Sequence, residues 1–71
     1  MSARPVKRSL TLKGHRTSVS LEDEFWAAFR EIAVERGIAV NALADEIDSN
    51  RDLETGLASA IRVFVLTHYR R

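Results

Sequence analysis

The apolar alternation near the start of the chain changes parity between Leu12 and Thr17. Leu10 and Leu12 stand at even positions, whereas Thr17, Val19 and Leu21 stand at odd ones. In one continuous strand the two sets would lie on opposite faces, because successive side chains alternate across the pleat. A turn or bulge must intervene, and Lys13-Gly14-His15-Arg16 contains the glycine that permits it. Two arrangements satisfy the pattern. A hairpin with that loop pairs Leu12 with Thr17 and Leu10 with Val19, bringing both sets to one face. Alternatively, a single strand from Arg16 to Leu21 follows a loose arm. Pro5 discourages helix upstream, so residues 1–8 read as a flexible basic arm and residues 9–71 as one domain.

Helical periodicity takes over after Leu21. Residues 22–36 place Phe25, Phe29, Ile32 and Ala33 on one stripe, widened by Trp26 and Ala28. Glu22, Asp23 and Glu24 in the first turn and Arg36 in the last suit the helix dipole, and Gly37 reads as a left-handed stop. Residues 40–48 form a second helix with Val40, Leu43, Ala44 and Ile47 inward. Residues 53–69 form a third, with Asp52 as N-cap and Leu53, Leu57, Ile61, Phe64 and Val65 as its buried stripe. The run Val63-Phe64-Val65-Leu66 is apolar on every side, which calls for burial all round, most simply by a second subunit.

A single core in a chain of 71 residues supplies only about 3–5 kcal/mol of net stability. There is no cysteine for a disulfide, and the two histidines, His15 and His68, lie at opposite ends, so a structural zinc is not expected. Self-association into a homodimer is the remaining staple. No apolar run approaches the roughly 18 residues of a membrane span, and Met1 to Leu12 lacks the apolar stretch of a secretory signal. A soluble, cytoplasmic protein without cofactor is expected.

Charge is segregated along the chain. Residues 1–20 hold Arg4, Lys7, Arg8, Lys13 and Arg16 and no acid, whereas residues 21–71 hold six basic residues and all ten acids. That division is the footprint of a basic segment that meets a polyanion. No catalytic constellation or phosphate loop accompanies it, and Asp45, Glu46 and Asp48 read as a solvated helix face rather than a metal cluster. The chain does not read as an enzyme.

The segment Arg16 to Ile47 (RTSVSLEDEFWAAFREIAVERGIAVNALADEI) resembles the ribbon-helix-helix superfamily: a short alternating strand, an amphipathic helix closed by Gly37, and a second helix opening at Val40-Asn41. The opening KRSLTLKGHRTSVSLEDEFW and the ending SAIRVFVLTHYR are similar to a bacterial subgroup of short ribbon-helix-helix proteins. The resemblance implies a mainly α fold with a short β-ribbon, built as a homodimer, here with an added C-terminal helix. Strands of two subunits would pair into a ribbon lying in the major groove of nucleoid DNA, as in a transcriptional repressor.

Carried over by position, the resemblance implies base contacts from Arg16, Ser18 and Ser20. It implies phosphate contacts from Arg4, Lys7, Arg8 and Lys13 and from the start of the second helix at Ala39, Val40 and Asn41. Val19, Leu21, Phe25, Trp26, Phe29, Ile32, Leu43 and Ile47 would form the dimer core. Two departures stand out. Ala39 occupies a position where the family commonly has Ser or Thr, a lost cap costing about 1 kcal/mol. The reading face is also rich in serine rather than in Arg, Lys, Asn and Gln. A competing expectation is an antitoxin-like or adaptor dimer whose third helix binds a protein partner. The end of the chain directly after that helix argues against a toxin-binding tail.

Overall fold

The computed structural model describes residues 4–71; the first part of the arm expected at residues 1–8 lies outside the described residues. The element order is β1 (Val6–Leu12), β2 (His15–Leu21), α1 (Asp23–Arg36), α2 (Val40–Asn50) and α3 (Leu57–Tyr69). β1 already begins at Val6, so Val6, Lys7 and Arg8 are strand residues rather than part of a loose arm.

β1 and β2 form a two-stranded antiparallel sheet. The hairpin is tighter than the four-residue loop that the sequence suggests. Only Lys13 and Gly14 lie outside the strands, with φ of 53° and 80°. Positive φ at both central positions matches the right-handed twist of paired strands. The register therefore pairs Leu12 with His15, Leu10 with Thr17, Arg8 with Val19 and Val6 with Leu21. It differs from the expected pairing by two residues. Because side chains repeat every two residues, that shift leaves each residue on its expected face. Leu10, Leu12, Val19 and Leu21 are all buried beneath the sheet.

α1 starts where the strand ends, with Glu22 extended at its N-cap and Asp23 and Glu24 in its first turn. Gly37 closes it at φ 69°, and the N–H groups of Gly37 and Ile38 donate to the Val34 and Ala33 carbonyls, each at 3.0 Å. This left-handed closure satisfies carbonyls that the helix end would otherwise orphan. α1 buries Phe29, Ile32 and Ala33, and α2 buries Leu43, Ala44 and Ile47.

α3 begins four residues later than the periodicity suggests. Gly56, not Asp52, stands at its N-cap, and Leu53 is 99% exposed instead of buried. Arg51 organises this connection: its guanidinium donates to the Asp48 carboxylate at 2.8 Å and to the Thr55 carbonyl at 2.6 Å. Carbonyls bound in this way are withdrawn from helix formation, which sequence periodicity alone does not register. α3 buries Ile61 and Val65, and the half-buried Phe64 meets Phe29 edge-on at 6.4 Å. The run Val63 to Leu66 is therefore not enclosed within the chain: Val63 and Leu66 lie on its surface. One apolar cluster joins all five elements, so each chain buries a core of its own.

Candidate nucleic-acid interface

The face of the sheet turned away from the helices carries Lys7, Ser9 and Thr11 from β1 and Arg16, Ser18 and Ser20 from β2. All six are exposed. Cross-strand pairing sets Thr11 against Arg16, Ser9 against Ser18 and Lys7 against Ser20. The face thus holds two cations, four hydroxyls and no carboxylate. Paired strands lie about 4.8 Å apart, so a two-stranded ribbon enters a major groove about 12 Å wide. Ser9 and Thr11 were missed as candidates by sequence reasoning. The signal was available: the alternation that turns Leu10 and Leu12 inward turns their odd-numbered neighbours outward.

The other expected contacts divide. Arg4 is exposed just before β1, and Lys13 is exposed at the turn. Ala39 caps α2 in extended conformation without a side-chain hydrogen bond, and Asn41 lies at the rim of the sheet, where its Oδ1 accepts the Thr11 N–H at 3.1 Å. Lys7 is on the polar face, but Arg8 is not available for phosphate. Even positions of β1 face the helices, so Arg8 turns under the sheet, its side chain only 16% exposed. There it donates to the Leu21 carbonyl at 3.1 Å and pairs with the Asp23 carboxylate. Its guanidinium carbon lies 5.5 Å from the centre of the Trp26 ring.

The residues expected in a dimer core are placed within the single chain. Val19, Leu21, Phe29, Ile32, Leu43 and Ile47 are buried there, and Phe25 and Trp26 are half-buried against them.

Each edge of the sheet is engaged at one residue. In a two-residue hairpin the residues flanking the turn exchange both hydrogen bonds. The backbone groups of Lys7, Ser9 and Thr11 consequently point out from β1, and those of Arg16, Ser18 and Ser20 from β2. Asn41 engages the β1 edge at Thr11. On the β2 edge, Arg62 of α3 donates to the Ser20 carbonyl at 3.4 Å. Among the described residues no hydrogen bond reaches the outward backbone of Lys7 or Ser9 on β1, or of Arg16 or Ser18 on β2.

Arg62 also pairs with Glu22, with Nη2 at 2.9 Å and Nε at 3.0 Å from the carboxylate. A hydrogen bond from its own backbone, followed by that from Arg62, holds the Glu22 carboxyl below the usual carboxylate range. Among the described residues no group of His, Asp and Glu is arranged to hold a metal ion, and no helix is long and apolar enough to cross a membrane.

Neither the curated proteins nor the solved structures compared with this chain gave a match. The sequence model of the ribbon-helix-helix domain, a family of dimeric DNA-binding domains of transcription regulation, matches residues 5–69. That span includes the hairpin and all three helices. By its strand leading straight into a glycine-closed helix pair, and by a match over nearly its whole length, this chain belongs to the ribbon-helix-helix domain family.

Proposed function

We propose that the protein is a bacterial transcriptional regulator, a repressor that binds duplex DNA sequence-specifically as a homodimer, with the β2 strands of its two copies paired into a two-stranded ribbon that lies in the major groove. The observation that carries this reading is the face formed by Lys7, Ser9, Thr11, Arg16, Ser18 and Ser20, exposed and without a single acid. Arg16 is long enough for a bidentate bond to guanine, a contact worth about 1–3 kcal/mol of discrimination. Ser18 and Ser20 donate or accept at neighbouring base edges. Lys7, Arg4, Lys13 and the start of α2 at Ala39, Val40 and Asn41 serve phosphates. Two copies meet through their β2 edges, where backbone groups of Arg16 and Ser18 are unpaired within the chain, and join their polar faces into one surface.

Selection of bound sequences from random duplexes, with wild type and Arg16→Ala compared, tests this reading. The variant should lose preference at two-fold-related positions while staying folded. An unchanged preference would remove Arg16 from the reading face. Dimerisation is read independently from the unfolding midpoint, which should rise over a hundredfold increase in protein concentration.

A second reading rests on Val63 and Leu66, which α3 leaves on the surface. In it, α3 docks a protein partner and DNA binding is secondary. Replacing both residues with serine should then abolish partner capture while leaving duplex binding intact.

A further inference from the structure

The junction from β2 to α1 is gripped from two sides by arginines distant in sequence. Arg8 of β1 donates to the Leu21 carbonyl, pairs with Asp23 and lies over the Trp26 ring. Arg62 of α3 donates to the Ser20 carbonyl, pairs with Glu22 and lies 5.8 Å from the centre of the Phe25 ring. The two sets have the same composition, a strand carbonyl, a carboxylate and an aromatic ring, offset by one residue throughout. Neighbouring positions in a strand point to opposite sides, so the two arginines approach the junction from different directions.

We propose that Arg62 is a positioning residue for the DNA-reading sheet: with Arg8 as its counterpart, it fixes the angle at which β2 meets α1, and through it α3 controls how Ser18 and Ser20 are presented. This inference rests on the DNA-binding reading above. Besides its four buried apolar side chains and the Asn41 bond to Thr11 on β1, the sheet is tied to the helices by side chains at the β2 end through these two arginines. A planar guanidinium can bridge a carbonyl and a carboxylate while stacking on a ring; an ammonium on a flexible stem cannot hold all three. Glu22 matters to the same device, since it is the anchor that keeps Arg62 over the Ser20 carbonyl. The lowered titration of the Glu22 carboxyl agrees with that engagement. The clamp also gives α3, which the strand-helix-helix core does not require, a task in binding.

The proposal makes a prediction opposite in sign to simple electrostatics. Glu22 is a negative charge close to the duplex, so its neutralisation alone would strengthen binding. If Glu22 anchors the clamp, Glu22→Gln instead weakens it. The experiment uses the full chain and its Glu22→Gln, Arg62→Lys, Arg62→Met and Glu22→Gln/Arg62→Met variants, with a random-sequence duplex and a selected duplex as probes at two salt concentrations. Amide hydrogen exchange is measured alongside at Leu21 and at Trp26, whose N–H donates to the Glu22 carbonyl at 2.9 Å.

Glu22→Gln should bind the selected duplex roughly fivefold more weakly, about the worth of one ordinary hydrogen bond, because the amide oxygen still accepts from Arg62 but without the charge. Arg62→Met should lose about tenfold with an unchanged salt slope, because Arg62 meets no phosphate. Arg62→Lys should not restore affinity, and the double variant should bind no more weakly than Arg62→Met. Exchange at Leu21 and Trp26 should quicken by about tenfold as the junction opens locally. Tighter binding by Glu22→Gln, a slope made shallower by about 0.9 in Arg62→Met, or unchanged exchange at both amides would overturn the proposal. Failure of the wild type to bind either duplex would refute the DNA-binding reading itself; the exchange measurement then decides alone whether Arg62 holds the strand.

Discussion

Arg8 lies over the ring of Trp26, its guanidinium carbon 5.5 Å from the ring centre, and this contact holds a basic residue of the N-terminal segment at the margin of the sheet's underside rather than on its polar face. Desolvated cation–π contacts are worth up to about 2 kcal/mol, and Arg8 additionally bonds Leu21 and Asp23. Arg8→Ala should therefore lower the unfolding free energy by about 1–3 kcal/mol and leave the salt slope of DNA binding as it is. Lys7→Ala should do the reverse, keeping stability and making the slope shallower by up to about 0.9. Urea titration and duplex binding at several salt concentrations separate the two.

Phe29 is fully buried and touches both Trp26 and Phe64. Truncating such an aromatic costs about 3–5 kcal/mol, which equals the whole net stability expected of so small a core. Phe29→Ala should be unfolded by circular dichroism at 25 °C. Trp26, only half-buried, should cost less on truncation, and Trp26→Ala should retain a cooperative melt at a lower temperature.

Turn chemistry offers a prediction in the stabilising direction. Lys13 adopts φ 53°, a conformation that asparagine tolerates better than lysine. Lys13→Asn should raise stability by about 0.5 kcal/mol, whereas Gly14→Ala, at φ 80°, should cost about 1–2 kcal/mol. Thermal melts of the two variants should move in opposite directions.

Acid should weaken the fold partly through Glu22. Its carboxyl titrates below the ordinary carboxylate range in the folded chain, with its own backbone hydrogen bond as the first cause and Arg62 as the second. In the unfolded chain the same group takes up its proton at higher pH. The stabilisation is therefore present above the ordinary carboxylate range and is lost as pH falls through the folded value. Melting temperature should drop as pH falls below about 5, and Glu22→Gln should make that descent shallower. An identical descent in the variant would show that other carboxylates carry it.

Much of this fold was legible in local pattern. The parity change at Gly14, the stripe from Phe25 to Ala33, the stop at Gly37 and the inward set Leu43, Ala44 and Ile47 each follow from a periodicity fixed by backbone geometry. The hairpin register was misread because the left-handed conformation was reserved for glycine, whereas Lys13 adopts it too. The start of α3 was misread because a side chain, Arg51, holds the preceding loop through backbone carbonyls. Arg8 was assigned to DNA by charge, although its even position in β1 turns it toward Trp26 and Asp23. Pattern locates faces well; it does not announce which charged residue on an inner face has found partners.

Asn41 engages one margin of the sheet at Thr11 and Arg62 the other at Ser20, so each margin keeps two residues, Lys7 and Ser9 on β1 and Arg16 and Ser18 on β2, whose outward backbone meets no hydrogen bond among the described residues. If a second hairpin adds along β2 in antiparallel fashion, the enlarged sheet ends on two copies of β1. Further growth then has to start from a short strand whose open face carries Lys7, the kind of charged side chain that discourages another strand from adding.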